Sequence, residues 1–140
     1  MKKTILGSFI ILAYVNLVPY VCRLWRGLDW ATQYLPFHDE GPSLLILLAF
    51  IFFVAFASLP ATPLIVAFLL RKWIPVSFVS SIIVATALLG FWHHNYDLAS
   101  DAQAALGLIF IPIYTTMITS VVAGIVGTIE FLVRRNRKER

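Results

Sequence analysis

The sequence predicts an all-α membrane protein. Four transmembrane helices form an antiparallel bundle, with both termini in the cytoplasm. Three observations predict it. The first is composition. The 140 residues are 60% hydrophobic and only 13% charged, against about 25% charged in an ordinary soluble domain. Mean hydropathy is +0.87. That composition excludes a soluble globular domain and a disordered chain, and the single cysteine excludes a disulfide scaffold. The second observation is the position of the charges: they cluster, and four long apolar stretches lie between the clusters. The third is the uneven split of basic residues between the two sides those stretches define.

The spans are expected at about 4–22, 44–70, 74–92 and 102–133, within a single integral-membrane unit covering 1–140 and ending in a basic tail, 134–140. An α-helix needs about 20 apolar residues to cross a hydrocarbon core of about 30 Å. In lipid, each backbone polar group must be bonded within its own segment, so such stretches are helices. A barrel would show alternating apolar and polar residues in strands of about ten, and these runs do not alternate.

Span one follows Met1-Lys2-Lys3, which is also how a secretory signal begins. It ends Val18-Pro19-Tyr20-Val21-Cys22, with no small residues for a peptidase. An uncleaved anchor is expected. The segment after it, Arg23 to Leu35, has the pattern of a short interfacial helix in the first outer loop. Leu24, Leu28, Ala31 and Leu35 share one face, and Arg26, Asp29 and Gln33 the other. Gly27 counts against it.

Span two contains Ser58-Leu59-Pro60-Ala61-Thr62-Pro63. Pro60 and Pro63 each remove a helical hydrogen bond and crowd the preceding turn, which predicts a kink. A kinked span is a device of transporters. It is also how a long helix bends to fit a thinner bilayer, with Ser58 or Thr62 bonding freed carbonyls, and this plainer reading is preferred. Spans two and three are joined by Arg71, Lys72 and Trp73 alone, so they are antiparallel neighbours. Pro75 fits the first turn of span three. Span four is expected to begin at the capping-box pattern Ser100-Asp101-Ala102-Gln103. Pro112, near its outer end, receives the same plain reading as the prolines of span two.

Orientation follows from Lys and Arg. Lys2, Lys3, Arg71, Lys72, Arg134, Arg135, Arg137, Lys138 and Arg140 fall on one side, nine in all; Arg23 and Arg26 fall on the other. The richer side is expected in the cytoplasm, and the membrane is expected to be the inner membrane of a bacterium. The net charge of +4 is thus a topology signal and calls for no nucleic-acid partner. Anionic lipids are expected at the basic tail. Trp25, Trp30, Tyr34, Trp92 and Tyr96 mark the outer boundary and Trp73 the inner one.

Small residues let helices approach closely in lipid. Span four carries Thr116, Ser120, Gly124 and Thr128 in one row, and Thr115, Thr119, Ala123 and Gly127 in the next. The first row is the candidate packing or partner face, with packing inside the chain preferred over a partner's helix. Glu130 and Arg134, four apart, are in the favourable order for an ion pair at the membrane interface. Glu130 is the only acid near a span's interior and is read as that pair's partner, not as a proton carrier. Asn16, the one amide in the apolar runs, is read as an interhelical hydrogen bond.

Metal ligation has weak candidates in the outer loops: His93, His94, Asp97 and His38. Imidazole and carboxylate suit zinc, but no fixed ligand spacing is met, and no metal or other cofactor is expected. No zincin or nucleophile-elbow motif is present, and no enzyme is expected. The expected function is non-enzymatic: binding other membrane components, as an accessory subunit or an immunity-type protein against a membrane-active toxin. A protein partner in the membrane, or self-association, is implied. The alternatives are a small oligomeric transporter or channel using the kinked second span, and a holin-like permeabilising protein.

Overall fold

The computed structural model describes residues 2–27, 44–95 and 106–138. Among them every regular element is a helix. These are α1 (Lys2–Trp25), α2 (Leu44–Ala57), α3 (Ala61–Leu70), α4 (Pro75–Asn95) and α5 (Gly107–Lys138). Among the described residues, three helices are long and apolar enough to cross a membrane: Lys2–Cys22 within α1, the whole of α4, and Ile109–Arg137 within α5.

Cross-contacts set the directions. A Cβ built on Gly7 would overlap the ring of Phe68, so the start of α1 lies against the end of α3. A Cβ on Gly90 would lie 3.8 Å from Cys22 Sγ, so α1 and α4 end together. Ser77 Oγ donates to Ala123 O at 2.8 Å and a Cβ on Gly127 would lie 3.2 Å from Ile74 Cδ1, so α5 runs antiparallel to α4. Lys2 and Lys3, the Arg71-Lys72 turn and the C-terminal basic run therefore share one end of the bundle.

The expected single kinked span over 44–70 is instead two helices. Pro60 (φ −63°, ψ −16°) has no N–H to offer the carbonyl of Phe56. That carbonyl accepts from Leu59 N at 3.0 Å instead. The next turn closes with Ala61 N donating to Ser58 O and Thr62 N to Leu59 O, both 3.0 Å, a tighter winding than α. Pro63 then falls in the first turn of α3, where its missing N–H costs nothing. Ser58 Oγ donates to Val54 O at 2.7 Å and accepts from Asn16 Nδ2 at 3.1 Å, tying the break to α1.

Two further expectations shift. Arg23 to Trp25 continue α1, and the chain turns at Arg26-Gly27, where Gly27 takes φ +70°. That left-handed value suits glycine and stops the helix. The expected interfacial helix therefore does not begin at Arg23, and its remainder lies outside the described residues. The last helix runs on to Lys138, past Val133. The capping box at 100–103 also lies outside the described residues.

The packing is arranged for an apolar solvent. Large apolar side chains face outward, among them Phe9, Leu17, Ile83, Val121, Ile125 and Ile129. The interior is smaller and more polar: Ala61, Ala67, Ala85, Ser77, Ser81, Thr115 and Thr119 are buried, beside Val15, Leu64 and Leu89. In water such a surface would drive aggregation. In lipid, small buried residues are what allow helices to close on one another.

Candidate functional site

The junction of α4 and α5 is built from small residues. On α4, Ser77, Ser81, Ala85, Leu89 and His93 recur every four residues and are all buried. On α5, Ile111, Thr115, Thr119 and Gly127 are buried on one face. A Cβ on Gly127 would meet Ile74 Cδ1 at 3.2 Å and Ser77 Oγ at 3.3 Å, so glycine is what permits this approach. Ser81 Oγ donates to Ser77 O at 2.6 Å. The hydroxyls of Thr115 and Thr119 are buried without a hydrogen-bond partner.

The expected packing row, Thr116-Ser120-Gly124-Thr128, is not this internal seam. It lies one residue further round the helix, and Ser120, Gly124 and Thr128 are exposed. Nothing lies within 4 Å of a Cβ built on Gly124. The adjoining row of Thr115, Thr119, Ala123 and Gly127 faces α4 instead. The reason is tertiary: Ser77 reaches the carbonyl of Ala123, and that bond fixes the rotation of α5.

The exposed row lines a cleft of about 640 Å³ between α3, the start of α4 and α5. Thr62, Pro63, Val66 and Leu70 form one wall. Ser120, Gly124, Thr128 and Phe131 form the other, with Ile74 and Ser77 at the floor and Trp73 at the basic end. The hydroxyls of the α5 row are spent within the helix. Thr116 donates to Pro112 O and Ser120 to Thr116 O, each at 2.7 Å, and Thr128 to Gly124 O at 2.8 Å. The α5 wall of the cleft thus presents methyl and methylene surface despite its polar sequence. Pro60 occupies the position before α3 without a side-chain capping bond, and Pro63 stands in the cleft wall.

Glu130 occupies the basic end of the same junction. Its Oε2 accepts from Val76 N at 2.9 Å and Ser77 N at 3.2 Å, the second and third residues of α4. Its Oε1 accepts from Arg134 Nη2 at 2.9 Å. The carboxylate is therefore an N-terminal cap supplied by another helix. The sequence held one hint: α4 starts at Pro75 without a capping side chain of its own. Nearby, the guanidinium of Arg71 stacks 3.7 Å over Phe68 and donates to Phe68 O at 2.6 Å.

Two of the metal candidates, His93 and His94, fall among the described residues. His93 is buried in the α4 seam, whereas His94 is exposed. Asp97 and His38 lie outside the described residues. Among the described residues, no three His, Cys, Asp or Glu side chains could hold a metal together.

Compared with protein-family models, with curated proteins and with solved structures, the chain matches none.

Proposed function

We propose that the chain is a four-span, non-enzymatic membrane protein that acts by binding other membrane components. An accessory subunit of a membrane complex and an immunity-type protein against a membrane-active toxin both work this way. The fourth crossing is α2 and α3 together, 14 and 10 residues joined by the turn at 58–60. Both termini face the cytoplasm in this reading, by the excess of basic residues at that end. One observation carries the binding role: the open, small-residue cleft beside Gly124. It is of the size that holds ligands, about 300–1,000 Å³, and it offers apolar contact without catalytic groups.

A photoreactive side chain placed at Gly124 in the membrane tests this reading. It should give a discrete crosslinked product, of lipid or protein, stronger than the same side chain at outward-facing Ile125. Equal, diffuse labelling at both positions would overturn the proposal.

A second reading, a small oligomeric transporter, draws on the break between α2 and α3, where Asn16 and Ser58 put polar groups at mid-bundle. Solute flux into liposomes carrying the purified chain is its signature. Lysis on induction is the signature of a holin-like protein. The favoured reading expects neither.

A further inference from the structure

We propose that α5 has a second seat against α4, three residues along, and that sliding into it closes the cleft, with Glu130 as the latch that holds the cleft open. This rests on the reading that the cleft is where the chain binds, and it names the regulation of that site.

The first observation is a repeated pattern. Thr119, Ala123 and Gly127 face α4, and Thr116, Ser120 and Gly124 repeat their spacing three residues earlier. A screw motion of three residues moves a helix about 4.5 Å along its axis and turns it about 60°. Made toward the basic end, it sets Gly124 in the place of Gly127. There a Cβ would meet Ile74 at 3.2 Å and Ser77 at 3.3 Å, so a glycine is needed, and the sequence supplies one for either seat. Packed helices move between discrete seats of this kind.

The second is an unmet cost in the observed seat. The hydroxyls of Thr115 and Thr119 are buried without a partner, which is unfavourable in an apolar interior. After the slide Pro112 and Thr116 take their places. Pro112 has no hydroxyl, and that of Thr116 already donates to Pro112 O.

The third is the latch. Glu130 accepts from Val76 N at 2.9 Å and Ser77 N at 3.2 Å, which fixes the axial position of α5. Neither bond survives a displacement of about 4.5 Å. The slide would put Met117, Val121 and Ile125, now exposed, where Ser120, Gly124 and Thr128 line the cleft. Large side chains then take the space beside Gly124, where nothing now lies within 4 Å of an added Cβ. The crossing stretch of α5 has 29 residues, about 44 Å, so it still spans a core of about 30 Å after the slide.

Electron-spin distance measurement on the full chain in lipid tests it. Nitroxides are placed at exposed His94 and Arg137 as His94→Cys and Arg137→Cys, with Cys22→Ser removing the native thiol. The parent should give one main distance. Glu130→Ala should add a second, about 4.5 Å longer. Adding Gly124→Leu, which faces open space in the observed seat and cannot enter the other, should abolish the longer distance. Glu130→Gln, a milder change, should show the same longer distance in smaller amount, and it carries the test if the alanine variant does not fold. An unchanged distance in a folded Glu130 variant would overturn the slide, and so would a longer distance that persists with Gly124→Leu. Either result would leave the binding reading standing. Diffuse photolabelling at Gly124 would instead remove that reading, and with it the role of the slide as a gate.

Discussion

The carboxylate of Glu130 lies 2.9 Å from the backbone nitrogen of Val76, 54 residues earlier in the chain. Helix α4 begins with unpaired N–H groups, and a side chain of α5 fills them. One carboxylate therefore closes a helix, docks two helices and holds Arg134. Replacing Glu130 by Ala should destabilise the protein by about 1–2 kcal/mol, the usual loss of a helix cap. Glu130→Gln keeps an accepting oxygen and should cost less. Arg134→Gln, at a pair whose arginine is 47% exposed, should cost no more than about 0.5 kcal/mol. Thermal unfolding in detergent gives the order. An Arg134 effect as large as that of Glu130→Ala would mean the ion pair, not the cap, is what matters.

The two glycines of α5 should respond in opposite ways. Gly127 is closed in by Ile74 and Ser77, and Gly124 faces open space. Gly127→Leu would separate α4 from α5 and break the bond from Ser77 to Ala123, a loss of about 1–3 kcal/mol from overpacking alone. Gly124→Leu should stay within about 0.5 kcal/mol of the unaltered protein. Melting curves of the two variants measure this directly. A larger loss at Gly124 than at Gly127 would show that α5 is rotated the other way.

Thr115 and Thr119 offer a test of opposite sign. A buried hydroxyl without a partner costs about 1–3 kcal/mol, and valine has nearly the same shape. Thr115→Val and Thr119→Val should each raise stability, by on the order of 1 kcal/mol. Thr116→Val, which removes a hydroxyl bonded to Pro112 O, should not. Destabilisation by all three would mean that the buried hydroxyls are satisfied, for example by water between the helices.

The threading is open to a reporter that works only outside the cytoplasm. Fused after Arg140 it should be silent, and inserted after Ala99 it should be active. The opposite pattern would place the basic end outside.

What the sequence determined by itself is the material: helices, apolar enough for lipid, with their basic ends at alternate turns. Those properties are local or additive, so composition and charge spacing reveal them. Tertiary structure decided how that material is used. The two small-residue rows of α5 are separated by one residue, about 100° of rotation, and nothing in their composition says which faces inward. The bond from Ser77 to Ala123 and the fit of Gly127 against Ile74 made that choice, and so turned the other row into a cleft wall. The prolines at 60 and 63 announced a disturbance. Whether the helix bends or breaks depended on which carbonyls found other donors and on Asn16 meeting Ser58 across the bundle. The capping of α4 by Glu130 joins residues far apart in the chain, and a partner brought in by folding leaves no local signal.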